Sequence, residues 1–295
     1  MDPGRGGRGR SASLSEAFPA GPRLVRSPDG TSIAAFELAH RAPARGRANA
    51  PVILVHGTAS DHTTWRVVGP LLAATRRVVA IDRRGRGASE DGPAYAIERE
   101  EEDVVAVVRA VASETGGPVD VVGHSYGGRV ALGAALRSGL VRRVVCYEGA
   151  PVHVRRGRVA RAMLARLDAD ARAGRPDRML DRFLRAEVGF RATELAAYHA
   201  NPVWPDRVAA AGRTLLRELR AETGPTAGLE RLGSVRQPVL LIIGTESVPW
   251  FLRGTERLAA RLADVRVVEI AGAAHAAHHT HPDAFVAAVE AFLDR

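Results

Sequence analysis

Short runs rich in Val, Ile and Leu recur along the chain and alternate with amphipathic stretches. The apolar runs are Pro51–Val55, Arg77–Ile81, Val119–Val122, Val141–Tyr147, Pro238–Ile243 and Val265–Ile270. Helical periodicity is clearest at Glu98–Ser113, Gly127–Arg137, Trp250–Leu262 and Pro282–Leu293. Continuous apolar strands that alternate with helices are typical of a parallel sheet with both faces covered, because each strand is then buried on both sides. The pattern therefore predicts an α/β fold.

The first part of the chain departs from this alternation. Apolar residues at Arg23–Arg26 and Ser32–Leu38 flank the turn-forming sequence Pro28-Asp29-Gly30, so we expect an antiparallel hairpin. Residues 1–20 are rich in Gly, Arg and Ser and lack the apolar segment of a secretory signal. We expect these residues to form a disordered tail and the protein to be cytoplasmic.

The alternation stops near Ala150 and resumes at Pro238. The intervening stretch contains no clear strand and is rich in Arg. Amphipathic helices are predicted within it at Val159–Ala173, Asp177–Ala186, Thr193–Ala200 and Gly212–Ala221. A helical insertion between two strands of one sheet is most simply a lid over the carboxyl ends of the strands, where ligands bind in open α/β sheets. We therefore expect an α/β core at 21–151 and 237–295 and a helical lid at 152–236.

Composition narrows the classes of function. Of the 295 residues, 46% are hydrophobic, which suffices for a large core. The net charge is +9 and all 42 basic residues are Arg, but they are scattered among Asp and Glu without a recognition module, which argues against a nucleic-acid partner. No apolar run approaches the roughly 18 residues of a membrane span, so no membrane partner is expected. The single cysteine, Cys146, cannot form an intramolecular disulfide and is expected to be buried.

The clearest chemical signal is Gly123-His124-Ser125-Tyr126-Gly127, which stands between a predicted strand and a predicted helix. This context makes a G-x-S-x-G match a strong indication of a nucleophilic serine. The sharp turn leaves no room for side chains beside the serine, which explains the glycines. The turn also points the hydroxyl at the helix N-terminus, whose partial positive charge favours a developing anion. Ser125 is therefore the candidate nucleophile.

A serine hydroxyl is a poor nucleophile until a base takes its proton. His275 follows the last predicted strand, so we expect it at the same edge of the sheet as Ser125. Three other histidines lie in the same loop but nearer to the last helix, where a surface or capping role fits them better: His278, His279 and His281. We therefore predict that His275 is the general base.

Acyl transfer also needs hydrogen-bond donors for the oxyanion. Val55-His56-Gly57-Thr58 ends the first parallel strand, and the backbone N–H of Thr58 is a candidate donor there. The N–H of Tyr126, the residue after the nucleophile, is the other candidate. A His-Gly pair alone would indicate no more than a turn.

Taken together, these motifs resemble those of the α/β-hydrolase superfamily. The matching segments, in the order seen in that superfamily, are His56-Gly57-Thr58, Asp82–Ser89, Gly123–Gly128 and Gly272–His275. The resemblance extends from about Arg23 to the C-terminus and implies a triad of Ser125, His275 and an acid, with no metal and no organic cofactor. It also implies that the Asp82–Ser89 turn is structural. It does not identify the substrate, since esterases, lactonases, thioesterases and cofactor-free haloperoxidases look similar at these motifs.

The acid departs from the superfamily pattern. In much of the superfamily an Asp stands three residues after the Gly that ends the strand resembling Pro238–Ile243; here that Gly is Gly244 and the third residue is Ser247. Glu148 follows the strand before the insertion and resembles the Glu found there in haloalkane dehalogenases. Glu246 lies beside the position that Asp would occupy. Because the acid must reach the far imidazole nitrogen, we predict Glu148 as the acid and keep Glu246 as the alternative.

A serine nucleophile argues against dehalogenase and epoxide hydrolase chemistry, which in this superfamily use Asp. It favours an acyl-enzyme route on a small ester, lactone or thioester. Two alternatives stay open: a slowly turning-over ligand receptor of the same fold, as some plant hormone receptors are, and a cyclising or perhydrolytic enzyme that uses the same Ser125. The residues expected to line the substrate pocket are His56, Trp65, Tyr126, Trp204, Trp250 and Phe251, although aromatic side chains are more often buried in packing.

Overall fold

The computed structural model describes residues 14–39, 49–150, 158–222 and 228–295, which contain an eight-stranded sheet. Its strands are β1 (Arg23–Arg26), β2 (Ser32–Glu37), β3 (Val52–Val55), β4 (Val78–Ile81), β5 (Val119–His124), β6 (Val141–Tyr147), β7 (Val239–Gly244) and β8 (Val265–Ile270). Their spatial order is β1-β2-β4-β3-β5-β6-β7-β8. The hairpin of β1 and β2 pairs antiparallel with β4, and the strands from β4 to β8 are parallel.

The helices follow the strands in the order that the sequence pattern predicts. They are α1 (Leu14–Ala17), α2 (Val68–Ala73), α3 (Ile97–Thr115), α4 (Tyr126–Arg137), α5 (Arg158–Arg172), α6 (Pro176–Phe183), α7 (Ala192–His199), α8 (Trp204–Ala221), α9 (Leu229–Leu232), α10 (Pro249–Ala259), α11 (Ala277–Thr280) and α12 (Pro282–Leu293). A 3₁₀ helix forms at His62–Trp65, and a π-helical turn at Leu184–Val188 extends α6. No helix among the described residues is both long enough and apolar enough to span a lipid bilayer.

Both faces of the sheet are covered, and alternate residues of one strand serve the two faces. Val121 of β5 belongs to a cluster with Val104 of α3 and Val130 of α4. The next residue, Val122, belongs to a second cluster with Phe285 of α12. Successive side chains of a strand point to opposite faces, so a strand buried on both sides must be apolar throughout. This confirms the predicted α/β fold with a mostly parallel sheet.

The central strands β3, β5 and β6 end at one edge of the sheet. Val55 pairs with Gly123, and His124 pairs with Tyr147, so the carboxyl ends of the three strands are aligned. Residues that follow these strands therefore meet at this edge. Three of the candidate site segments, after β3, β5 and β6, are brought together in this way.

The insertion between β6 and β7 has an apolar cluster of its own. Leu167 of α5, Phe183 of α6 and Leu215 of α8 are buried in it together with Ala59, which comes from the loop after β3. The helices α5 to α8 thus pack on one another and on the loop that follows β3. The division into core and lid at 152–236 stays a prediction, and residues 151–157 and 223–227 lie outside the described residues.

The predicted disordered tail at 1–20 needs a correction at its end. Residues 1–13 lie outside the described residues, but α1 forms a helical turn in which Ala17 is buried. Phe18 then packs edge-on against Phe36 of β2, with ring centroids 6.1 Å apart. Order therefore begins before residue 21, because the burial of these apolar side chains offsets the entropy of fixing the backbone.

Candidate active site

Ser125 occupies the sharp turn between β5 and α4. Its backbone lies at φ 54° and ψ −123°, a region that non-glycine residues rarely adopt. Such strain costs about 1–3 kcal/mol and persists only where the surrounding structure imposes it. Here the Ser125 N–H donates to the Tyr147 carbonyl of β6 at 2.8 Å, and a Cβ on Gly127 would overlap the carbonyl oxygens of Val55 and His56. The turn therefore requires glycine at position 127 and holds Ser125, which is half-buried, at the start of α4.

Glu148 and His275 form a hydrogen-bonded pair next to this turn. The His275 Nδ1 lies 2.6 Å from the Glu148 Oε2, and both side chains are buried. The other carboxylate oxygen of Glu148 accepts hydrogen bonds from the Gly244 N–H at 2.9 Å and from the Ser247 hydroxyl. Glu148 itself has φ 48°, so the turn after β6 is strained like the turn that holds Ser125. A buried carboxylate needs such partners to offset its desolvation.

The backbone around His275 is fixed from several sides. His124, beside Ser125, lies with its Nε2 2.9 Å from the His275 carbonyl oxygen, which as an acceptor requires a hydrogen on that nitrogen. Burial, together with the neighbouring His275, holds the pKa of His124 well below its usual value. The Tyr147 hydroxyl donates to the Ala274 carbonyl and accepts from the Ala277 N–H at 2.8 Å. These bonds tie the histidine loop to β5 and β6 and bring His275 close to the turn of Ser125.

The loop after β3 lies against Ser125. A Cβ built on Gly57 would lie 3.0 Å from the Ser125 Cβ, so a larger residue at position 57 would require Ser125 to shift. Thr58, the next residue, is half-buried. On the other side of Ser125, α4 begins at Tyr126, and the first N–H groups of a helix have no partner within it. The structure thus brings both segments of the predicted oxyanion hole to Ser125.

Two of the predicted pocket residues are packing residues instead. Both His56 and Trp65 have no accessible surface. The Nδ1 of His56 lies 2.8 Å from the Gly57 carbonyl, and its Nε2 accepts the Arg83 N–H at 3.0 Å. The Trp65 ring packs against His278 at 5.4 Å between centroids. A side chain without accessible surface cannot contact a ligand, so assigning His56 and Trp65 to the pocket was wrong.

The other predicted pocket residues occupy three different environments. Phe251 of α10 stacks on His275, with centroids 4.5 Å apart and planes 6° from parallel. Tyr126 is buried, and Trp250 donates its indole N–H to the Glu187 carbonyl at 3.0 Å. Trp204 packs within the insertion, 4.3 Å from His199 between ring centroids. Of this set, Phe251 makes a ring contact with a predicted catalytic residue, and its role in a pocket stays a prediction.

The competing glutamate and histidines have hydrogen-bond partners outside the Glu148–His275 pair. Glu246 is exposed, and its N–H donates to the Ala273 carbonyl at 2.9 Å. His278 and His279 both contact the Thr64 hydroxyl, at 3.2 and 3.3 Å. Burial lowers the pKa of His279 to about 4, with the charges of nearby arginines acting in the same direction. His281 lies 2.8 Å from the Thr280 hydroxyl through its Nδ1.

One cluster offers the donor types of a metal site: Asp61, His62 and Asp82. Its oxygens already accept protein hydrogen bonds. Asp82 accepts from the backbone N–H groups of His62 at 2.8 Å and Ala88 at 2.9 Å, and Asp61 accepts from the Thr63 N–H at 2.9 Å. These hydrogen bonds fix the loops after β3 and β4, so we interpret the cluster as a structural one.

Sequence reasoning missed the supporting residues around the site. Ser247 was seen as the residue that cannot serve as an acid, yet its hydroxyl donates to Glu148. Tyr147 was seen as the last apolar residue of a strand, yet its hydroxyl bridges the ends of the histidine loop. The signal for Ser247 was present, because a hydroxyl at the usual acid position can hydrogen-bond a carboxylate supplied by a neighbouring strand. Nothing in the local sequence indicated the role of Tyr147.

This chain is similar to some known proteins over a part of its length and to others over most of it. Over 109 residues the chain is 38% identical to the probable oxidoreductase EphD of Mycobacterium tuberculosis, covering 36% of this chain but only 17% of that protein's length. Over 261 residues it is 30% identical to the pimeloyl-[acyl-carrier protein] methyl ester esterase of Neisseria meningitidis, covering 82% of this chain and 76% of that protein.

Solved structures and a family model are also similar to this chain. The crystal structure of an alpha/beta hydrolase from Sphaerobacter thermophilus is 30% identical, with a TM-score of 0.74 over 92% of this chain and 99% of that chain. The model of the alpha/beta hydrolase family matches residues 52–288, which span strands β3 to β8 and the site described above. This protein therefore belongs to the alpha/beta hydrolase family.

Proposed function

We propose that the protein is a serine hydrolase that cleaves a carboxylic ester, lactone or thioester through an acyl-enzyme intermediate. The observation that carries the proposal is the hydrogen bond of 2.6 Å between Glu148 and His275, formed beside the strained turn of Ser125. A carboxylate on Nδ1 leaves the Nε2 of His275 free of that proton and able to act as a base. The Neisseria relative, named as a methyl ester esterase, supports an ester as the substrate class.

In this mechanism Ser125 attacks the carbonyl carbon while the Nε2 of His275 takes the hydroxyl proton. The carbonyl electron pair moves to its oxygen, and the N–H groups of Thr58 and Tyr126 donate to the resulting oxyanion. The intermediate collapses, the leaving alcohol or thiol receives the proton from His275, and Ser125 is acylated. Water, deprotonated by His275, then attacks the acyl carbon. The second intermediate collapses, the bond from the acyl carbon to the Ser125 Oγ breaks, and His275 returns the proton to that oxygen as the acid leaves.

Glu148 would stabilise the imidazolium that forms in each step. Its carboxylate is buried and supported by Gly244 and Ser247, so it keeps one direction without reorganisation. Phe251 covers one face of the His275 ring and limits its rotation. The helices between β6 and β7 would act as the lid that selects the substrate, since their cluster includes Ala59 from the loop that carries Thr58.

The test is covalent labelling with a fluorophosphonate. Ser125 Oγ attacks phosphorus, the P–O bond forms as fluoride leaves, and the serine proton passes to His275. We expect mass mapping to find the phosphonyl group on Ser125, and Ser125→Ala to abolish both labelling and hydrolysis of p-nitrophenyl acetate. Ser138→Ala, at the other end of α4, is the matched control and should keep wild-type activity.

Two outcomes would contradict the proposal. Labelling at another residue, with hydrolysis retained in Ser125→Ala, would remove Ser125 from the chemistry. Labelling at Ser125 without turnover of the ester over hours would instead favour the slow-turnover receptor.

A further inference from the structure

Arg83, in the turn after β4, is completely buried and has every guanidinium donor in use. Its Nη1 donates to the carbonyls of His56 at 3.3 Å and Gly57 at 3.1 Å. Its Nε and Nη2 donate to the two oxygens of Glu100, at 2.5 and 2.8 Å, and Nη2 also donates to Glu218 at 2.6 Å. A guanidinium has five N–H donors in a fixed plane, so these bonds define its position fully.

The bond to Gly57 bears directly on the predicted oxyanion hole. The Gly57 carbonyl and the Thr58 N–H belong to one planar, trans peptide unit, so the direction of one fixes the direction of the other. The same carbonyl lies 2.8 Å from the Nδ1 of His56. Burial and the charge of Arg83 hold the pKa of His56 well below its usual value, so the ring is neutral, with the proton on Nδ1 and the Nε2 accepting the Arg83 N–H. Rotating this peptide would break both hydrogen bonds to the Gly57 oxygen.

Arg83 also contacts the residue that carries the second candidate donor. Its guanidinium carbon lies 4.5 Å from the centroid of the Tyr126 ring, within cation–π range. The Tyr126 hydroxyl lies 3.0 Å from the Tyr95 hydroxyl, which donates to Glu100 at 2.7 Å. One guanidinium therefore touches both segments that flank Ser125.

The remaining bond of Arg83 leads into the insertion. Glu218 lies on α8, has no accessible surface, and also forms an ion pair with Arg86. Burial alone would raise the pKa of Glu100, but Arg83 and Arg86 outweigh it and lower that pKa to about 2. The buried charges thus balance, with Arg83 and Arg86 facing Glu100 and Glu218. The docking of α8 and the direction of the Thr58 N–H depend on the same side chain.

We propose that Arg83 is a positioning residue that orients the Thr58 N–H toward the oxyanion and couples that orientation to the docking of α8. This inference rests on the proposed function and adds a physical link between the predicted lid and the chemistry. In Glu218→Gln the Nη2 of Arg83 keeps an amide oxygen on α8 but loses its charged partner, so the plane that holds the Gly57 carbonyl is less firmly fixed.

The test compares an inhibitor that needs the oxyanion hole with one that does not. Ser125 adds to a trifluoromethyl ketone, its proton passes to His275, and the ketone oxygen becomes an anion; the matching secondary alcohol cannot form that anion. Removing an oxyanion donor outright costs about 10²–10³, and misaligning it costs at most the lower end of that range. We therefore expect the ketone to bind about tenfold more weakly in Glu218→Gln and up to about 100-fold more weakly in Arg83→Lys. The alcohol forms no oxyanion, so we expect its affinity to change by less than about twofold in each variant.

Glu222→Gln is the matched control. Glu222 follows α8 one turn after Glu218 and pairs with Arg129 at 3.2 Å, without a bond to Arg83. The Glu222→Gln variant should keep the ratio of ketone to alcohol affinity, and the kcat for p-nitrophenyl acetate, within about twofold of wild type. In Glu218→Gln and Arg83→Lys, by contrast, kcat should fall with little change in KM.

Equal weakening of ketone and alcohol, or a rise in KM alone, would show that Arg83 only supports the fold or the pocket and would overturn the proposal. So would unchanged ketone binding in Glu218→Gln and Arg83→Lys together. A wild-type protein that neither hydrolyses the ester nor prefers the ketone would overturn the proposed function itself, which is a separate result. Circular dichroism checks that each variant is folded.

Discussion

The turns after β6 and β7 each carry a glutamate that the sequence offers as the partner of His275, but the two side chains lie in different environments. Glu148, after β6, is 1% exposed and strained at φ 48°, and its N–H donates to the Ile242 carbonyl of β7 at 3.1 Å. Glu246, after β7, is exposed. The turn of Glu148 is therefore hydrogen-bonded to the neighbouring strand β7, whereas the turn of Glu246 is hydrogen-bonded to the loop that carries His275.

The two turns also differ in what they contribute to the carboxylate beside His275. Ser247, where the superfamily resemblance leads one to expect Asp, donates its hydroxyl to Glu148, and Gly244 adds a backbone N–H. The turn after β7 therefore supports the carboxylate instead of supplying it. Because β6 and β7 are adjacent parallel strands, the two turns lie at the same edge of the sheet.

The largest effect is expected from Glu148→Gln. The amide cannot stabilise the imidazolium of His275 and favours the wrong tautomer, so kcat on one ester should fall by about three to four orders of magnitude. Steady-state kinetics measures the loss, with circular dichroism as the folding control. A near-normal kcat in this variant would reverse our choice of acid if Glu246→Gln were strongly impaired.

A smaller effect is expected from Ser247→Ala. This change removes one hydrogen bond to a buried carboxylate while Gly244 and His275 keep theirs. Hydrogen bonds to charged groups contribute about 1.5–3 kcal/mol, and we expect part of this to appear in kcat as a loss of about tenfold. Ser247→Thr, which keeps the hydroxyl, should recover most of the rate. If Ser247→Ala matched wild type in both kcat and thermal stability, the turn after β7 would not support the acid.

The smallest effect is expected from Glu246→Gln. Its carboxylate is exposed, so removing the charge changes only a screened, longer-range interaction, and kcat should fall by less than about tenfold, or about 1.4 kcal/mol. The same ester and conditions as for Glu148→Gln make the two values comparable. Mild effects in both glutamate variants would mean that the enzyme works with Ser125 and His275 as a dyad.

Much of the sheet and the turn of Ser125 followed from local pattern. Strands β6 and β8 have the predicted bounds, and the predicted strand Val119–Val122 and the helix after it extend by no more than two residues. The helices of the insertion were predicted less accurately. Helix α8 begins at Trp204, eight residues before the predicted start at Gly212. Gly212 lies within this helix, and a Cβ at this position would lie 3.1 Å from the Pro176 Cβ, so glycine allows α6 and α8 to pack closely.

The sequence by itself determined the fold class, the strand–turn–helix placement of Ser125 and the position of His275 after a strand, because these depend on periodicity and on glycines at a sharp turn. Only the tertiary structure decided which carboxylate meets His275, that His56 and Trp65 are packing residues, and that Arg83 links the Gly57–Thr58 peptide to α8. Each of these depends on side chains from segments far apart in the chain. Their approach is set by strand order and burial, which no local pattern records.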